Sequence, residues 1–395
     1  MSPGPRLRRL IAAALVDSFG LSLGWTVLSL QVVRTHGLGA LGLCSAAMLV
    51  GVALSAPAAA RLSARIDGRA LLRSTAICEA VLRVGTFTLL LAGAPLPAVA
   101  VAVAVMNVVA WTGYAGMRAE VAEADPRGAA MTWYMVAVAT IEAAGIAVAA
   151  LLPTGPAGTV GGGLLVAVVA GYGACLLPTW WIARDAGVGR ARPLRGSGRH
   201  RPTGLLAGGA LVMLLGSGPT LLAVGLAAQL HGTKWVAGSA LGYAVGSLLA
   251  PIMVAWLGRR RLSPAIAWPA WGVGMVAGWT VAPWHPAGLL VAQLLSGMCM
   301  SSLEGDMDAR VAASGHGRGV TAGLASAAAL RAFGSAAAVG LAPRAVAWIG
   351  VEWLSAALAV LLGTALAAGI ARHLDRAGDR AGRRQGVATV LSGHG

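Results

Sequence analysis

Long apolar runs recur along this chain, each of about 18 to 26 residues and so long enough to cross the hydrocarbon core of a bilayer as a helix. They fall near 10–33, 39–60, 70–93, 96–117, 130–152, 160–183, 204–229, 235–257, 264–283, 286–303, 320–342 and 346–370. Short polar connections separate them, several rich in Gly and Pro, such as Gly93-Ala94-Pro95 and Pro153-Thr154-Gly155-Pro156. Trp180, Trp181, Trp235, Trp284 and Trp348 stand at span ends, where indole prefers the interface. Arg8-Arg9 followed by an apolar run begins as a signal peptide does. The run continues past Val27 without a small-residue cleavage site, so it reads as a retained first helix. The pattern predicts an all-α polytopic membrane protein with twelve transmembrane helices.

The polar positions add an orientation. Arg6, Arg8 and Arg9 precede the first run, Arg61, Arg65, Arg69 and Arg73 follow the second, and Arg118 and Arg127 follow the fourth. Arg184 to Arg201 follow the sixth, Arg259, Arg260 and Arg261 the eighth, Arg310 and Arg318 the tenth, and Arg372 onward the last. The remaining connections carry only Arg34, Lys234 and Arg344. Cytoplasmic loops retain Lys and Arg while translocated loops do not, so both termini are expected in the cytoplasm and the protein in the cell membrane.

Composition agrees: 395 residues, 57% hydrophobic, 11% charged, mean hydropathy +0.75. A net charge of +16 would suggest nucleic acid in a water-soluble protein. Here the charge sits in short loops beside apolar spans, which points to topogenesis and anionic lipid headgroups as its partners and excludes nucleic acid. Cys44, Cys78, Cys175 and Cys299 lie in four different spans without C-x-x-C spacing or a neighbouring histidine, so neither disulfides nor a metal centre is expected, and no cofactor is implied.

The basic segment 184–203 divides the spans six and six. Val121-Ala122, Arg127-Gly128, Gly145 and Pro153 reappear about 190 residues later as Val311-Ala312, Arg318-Gly319, Gly334 and Pro343, the arrangement of a parallel repeat. Ala56-Pro57 is answered likewise by Ala250-Pro251. The expected organisation is a six-helix half over 1–183, a cytoplasmic linker over 184–203, a second six-helix half over 204–371 and a basic, disordered tail over 372–395.

Over essentially residues 8 to 372 the chain resembles the major facilitator superfamily of secondary transporters. That family carries a Gly, an Asp-Arg pair and a Gly-Arg-Arg turn between its second and third helices. The matching stretch reads Ser63-Ala64-Arg65-Ile66-Asp67-Gly68-Arg69-Ala70, with the acid at Asp67. Its repeat between helices eight and nine keeps Gly258-Arg259-Arg260. The resemblance implies that Arg65, Asp67, Arg69, Gly258, Arg259 and Arg260 form a cytoplasmic gate. It also implies that helices one, four, seven and ten line a substrate cavity. The stretch Gly145 to Ala150 keeps the small residues of the antiporter branch's helix-five pattern without its proline.

Ionisable groups inside apolar spans cost about 2.5–3.5 kcal/mol to insert, so each asks for a role. Asp17 in helix one is a candidate for binding a cationic group or carrying a proton, or else accepts packing hydrogen bonds from Ser18 and Ser22. Glu79 and Arg83, one turn apart, read as a structural ion pair. Glu142 and Arg331 each precede a repeat-related glycine by three residues and form an expected couple, with Glu142 titrating during transport or bound in a static bridge. Asn107, Trp111 and Tyr114 share one helix face and, with Gln293, are candidate cavity residues for a large, partly apolar solute. Glu304, Asp306, Asp308 and Arg310 read as a solvated loop at the end of helix ten, or a gate.

No phosphate-binding loop occurs, which excludes ATP-driven transport by this chain. All seven histidines lie in loops or tails, which leaves a membrane-embedded transferase as a remote alternative; the chain is not expected to be an enzyme. The leading expectation is a monomeric secondary transporter that exports a small organic compound (a drug, antibiotic or secondary metabolite) by alternating access in exchange for protons. The alternative is an uptake symporter or facilitator for a small metabolite.

Overall fold

The computed structural model describes residues 5–124, 129–154, 160–189, 203–258, 262–314 and 319–392, and every element among them is helical. The first two apolar runs form α1 (Pro5–Ser63), interrupted at Gly37, where φ 81° and ψ 179° place the backbone in a region that side chains exclude. Asp67 then caps α2 (Gly68–Leu91), its carboxylate accepting the Ala70 N–H at 2.8 Å. α3 (Leu96–Ala124) and α4 (Ala129–Leu151) follow. The sixth run divides into α5 (Gly162–Ala174) and α6 (Leu177–Ile182), and ends in a tight turn at Ala183–Asp185.

The seventh run is broken more severely, into α7 (Thr203–Gly216), α8 (Gly218–Leu221) and α9 (Ala223–His231). Gly216-Ser217-Gly218-Pro219 accounts for this: two glycines loosen the backbone and Pro219 removes a donor. α10 (Lys234–Gly258), α11 (Pro264–Ala277) and α12 (Pro286–Ser314) follow. The last element is α13 (Gly319–Ser392). Seven described helices are long and apolar enough to cross a membrane, two of them (α1, and α13 over 327–374) about twice the length of one span. The protein is a multi-pass, all-α membrane protein.

One expectation requires correction in α13. The reversal expected at 343–345 falls at Gly350 (φ 81°, ψ 157°), while Pro343 stays inside the helix and lies against Gly42 of α1. Gly350 can take that backbone; residues 343–345 contain no glycine. α13 continues beyond Arg372 to Ser392. Its alanines and arginines are good helix formers, and extending an existing helix avoids the cost of nucleating one.

The halves meet through α1 against α13 and α4 against α10. Glycines set the close approaches within each half, and they do so in matching places. A side chain at Gly145 would strike Phe19 O of α1, and one at Gly334 would strike Ala210 O of α7. Likewise Gly51 lies on Ala104 O of α3 and Gly246 on Leu294 O of α12. Thus the sequence repeat is also a repeat of helix contacts. Gly246→Val is expected to destabilise the protein by about 1–3 kcal/mol through overpacking, read as a lowered thermal midpoint in detergent.

The buried apolar residues form clusters of unequal extent. At the end of the bundle bearing Arg34 and Lys234, one core joins both halves, with Leu28, Leu41 and Phe87 packed together with Leu226, Trp279 and Val339. At the arginine-rich end the cores are separate. One holds Leu10, Leu72 and Val121 of the first half, and the other holds Met213, Trp271 and Leu303 of the second.

Candidate functional site

Asp17, Glu79 and Arg83 converge in the first half. Arg83 lies on the buried face of α2, its side chain fully enclosed. Its Nη2 donates to Asp17 Oδ1 of α1 at 2.7 Å and also to Glu79 Oε1 one turn earlier. Its Nη1 donates to Tyr172 O at 3.2 Å and to Cys175 Sγ at 2.9 Å, and the guanidinium stands 5.1 Å from the Tyr172 ring centroid. Gly20 and Gly24 of α1 allow this approach, because side chains there would overlap Cys175 and Tyr172. The pair expected to be purely structural is therefore part of a triad that includes Asp17. Two carboxylates share one guanidinium, so the fully ionised triad carries one net negative charge.

A cavity of about 20 Å³ borders the triad, room for one or two water molecules. Asp17, Thr75, Glu79, Tyr114, Tyr134 and Thr179 are among its lining residues. The Tyr134 hydroxyl and the Thr179 Oγ1 are buried and bonded to no described protein group. Such groups carry a desolvation penalty unless water or a ligand meets them, so the cavity is polar by construction. Tyr114 continues the lining as an aromatic band, its ring 6.1 Å from Tyr134 and 5.3 Å from Trp111.

Glu142 of α4 lies beyond this band. A second polar group stands in the other half. Ser301 Oγ donates to Ser247 Oγ at 3.1 Å, and the Tyr243 hydroxyl lies 3.5 Å from Met300 Sδ. Arg331 Nε faces Glu304 Oε1 of α12 at 4.0 Å. Glu142, expected as the partner of Arg331, stands on α4. α4 packs on α10 whereas α13 packs on α1, so repeat-equivalent positions lie on opposite sides of the interface between the halves.

The other expected residues divide. Tyr114 lines the cavity, and Trp111, packed edge-on against it, is 40% exposed. Asn107 is buried against Gly51 and donates to Val103 O of its own helix at 2.9 Å. Gln293 is buried beside Gly242. Both amides occupy helix packing contacts, because a small residue opposite draws the neighbouring helix onto them.

At the arginine-rich end, Asp67 serves as a helix cap, Arg65 is exposed and Arg69 donates to Arg184 O at 2.6 Å. Gly258 ends α10, while Arg259 and Arg260 lie outside the described residues. The densest set of contacts at this end centres on Glu120, which does not stand out in the sequence. Its enclosed carboxylate accepts from Arg6 Nη2 at 2.5 Å, Gly187 N at 2.8 Å and Val188 N at 3.0 Å. Val188 O in turn accepts from Gly68 N at 2.9 Å, and Arg9 pairs with Asp185 at 3.0 Å. In the other half Asp306 holds Arg310 and Trp268, each at 2.8 Å, so the stretch read as a solvated loop is tied down. One signal was available: Glu120 and Arg310 immediately precede the repeated Val-Ala pairs. Glu120→Ala is expected to cost about 1.5–3 kcal/mol, with faster tryptic cleavage after Arg184.

No protein-family model matches the chain, and no curated protein is similar to it in sequence. Solved structures share its fold. It is similar to a D-xylose-proton symporter, with a TM-score of 0.69 and 16% identity over 91% of this chain and 95% of that one. It is similar to the nucleoside transporter NupG, at 0.66 and 12% over 93% and 99%. A bacterial homologue of the iron transporter ferroportin scores 0.66 in its inward-facing state, with 15% identity over 93% and 99%. The same homologue scores 0.56 in its outward-facing state. The chain thus shares its fold with these proteins, which are transporters rather than enzymes.

Proposed function

We propose that this protein is a proton-coupled secondary transporter that exports a small organic cation by alternating access. It would act as a monomer with twelve crossings and both termini in the cytoplasm. The observation that carries the reading is the triad: Asp17 and Glu79 share Arg83 beside a water-sized polar cavity. A single proton brings this cluster to neutrality. Both carboxylates line the cavity, and Asp17, with its side chain 26% exposed against 4% for Glu79, is the more accessible of the two. With Glu142 added, and with Arg118 standing 5.8 Å from the Tyr114 ring centroid, three carboxylates and two guanidinium groups lie around an aromatic band, and the one surplus negative charge suits a partly apolar cation. Proton and cation then compete for the same negative charge. Such competition couples them in exchange, and an inward proton gradient drives the solute out.

If the arginine-rich end is cytoplasmic, the single core joining both halves closes the outer side and the separate cores leave the inner side parted. That is an inward-facing state. The higher score against the inward-facing ferroportin homologue points the same way. The fold likeness to a D-xylose-proton symporter favours a second reading, uptake with a proton.

The test is proton movement in inside-out vesicles holding a pH gradient, with a panel of organic cations, antibiotics, sugars and nucleosides added. Gradient collapse on adding one cation, with saturation, is the expected result. Proton movement in step with a neutral sugar or nucleoside would replace export by symport. Solute flux without any proton movement would end the proton-coupled reading.

A further inference from the structure

We propose that the corner where α2 meets α6, at the arginine-rich end, binds the headgroup of an anionic glycerophospholipid. Arg69 and Arg73 lie one turn apart at the start of α2, and Arg184 follows α6. Arg184 stacks on Trp181, its guanidinium carbon 3.4 Å from the ring centroid, and Arg73 lies 5.6 Å from that of Trp180. Arg184 Nε donates to Trp181 O at 3.2 Å, and Arg69 Nη2 donates to Arg184 O at 2.6 Å. Three guanidinium groups are thus held together on two indoles and two backbone carbonyls.

Their charge has no local counterpart. Among the described residues no carboxylate lies within 4.0 Å of Arg69, Arg73 or Arg184, and the neighbouring Asp185 is committed to Arg9. Guanidinium groups held flat against rings keep edge donors for a phosphate diester, to which they bond in a fork. The surface continuing from this corner into the bilayer is apolar and open, with Ile77 54%, Val81 66% and Leu177 63% exposed. A free anion would use only the arginines. A diacyl phospholipid matches both parts, its phosphate at the guanidinium groups and its acyl chains along Ile77, Val81 and Leu177.

The full chain, purified in a neutral detergent, is titrated with dioctanoyl phosphatidylglycerol while tryptophan fluorescence and the thermal midpoint are followed. Saturable binding with a raised midpoint is expected, and the same concentrations of dioctanoyl phosphatidylcholine or inorganic phosphate should do neither. Arg73→Gln with Arg184→Gln is expected to weaken binding roughly thirtyfold. Arg8→Gln with Arg61→Gln removes equal charge from the same end and should leave binding within about threefold. Should the glutamine pair fail to fold, Arg73→Lys with Arg184→Lys keeps the charge, loses the fork and should still weaken binding severalfold. Equal binding of phosphatidylcholine, equal loss in the Arg8 and Arg61 control, or displacement of the lipid by millimolar phosphate would each overturn the assignment.

Discussion

Arg83→Met is expected to lower the stability of the protein by about 3–5 kcal/mol, the largest effect of any single substitution in the interior. The side chain is fully enclosed and, among the described residues, carries the only guanidinium bonded to Asp17 and Glu79. Removing it strands two carboxylates against each other in a low-dielectric interior, which is worse than never having built the cluster. The same logic predicts the rescue. Arg83→Met combined with Asp17→Asn and Glu79→Gln leaves no buried charge and should recover most of the loss, so the three substitutions are strongly non-additive. Thermal unfolding in detergent reads both. A single variant as stable as the parent protein would mean that water reaches the triad and neutralises the argument from burial.

Asp17→Asn is expected to do the opposite, leaving the fold intact while uncoupling transport. The remaining Glu79–Arg83 pair is neutral, so the variant should unfold within about 1 kcal/mol of the parent. What it loses is the exchangeable site beside the cavity. For one proton exchanged per solute, each unit of pH gradient supports about a tenfold solute gradient. In the variant that gradient should vanish, and solute-for-solute exchange across vesicles at equal pH should continue only at higher solute concentration, because the cation loses the charge it shares with the proton. Full accumulation in Asp17→Asn would move the coupling role to Glu142, where Glu142→Gln tests it separately.

Much of the architecture was legible along the chain because its signals are local. Apolar length reports a crossing directly, since no other structure satisfies its backbone in lipid. The repeat was legible too, as spacing between Gly145 and Gly334. The contacts with Phe19 and Ala210 show why those glycines recur. The reversal in α13 was misplaced because Pro343 is a strong turn signal locally, yet it sits within a helix when the backbone before it is free to adapt. The site was less legible. Glu79 and Arg83 were paired correctly from their one-turn spacing, but that spacing is silent about Asp17, 66 residues away along the chain.

Asp17, Glu142 and Tyr114 stand out by residue type and depth, which the sequence contains. Asn107, Trp111 and Gln293 stand out by the same rule, but depth does not say which neighbour a helix face meets: Asn107 bonds its own helix, Trp111 packs on Tyr114, and Gln293 Nε2 is buried without a partner among the described residues. Tyr134, Thr179 and Glu120 draw no attention in the chain, since an isolated tyrosine or a glutamate at a helix end is ordinary until its partners are known. Helices long and apolar enough to span a membrane, and the glycine spacing of the repeat, are legible along the chain, because hydrophobic length acts on each segment separately. The folded bundle alone brings two carboxylates to Arg83 and turns Arg331 toward Glu304. It also places Glu120 as the clamp on the segment leading out of the first half. Those pairings depend on which helices the glycines bring together, and helix adjacency is a property of the packed bundle rather than of any stretch of chain.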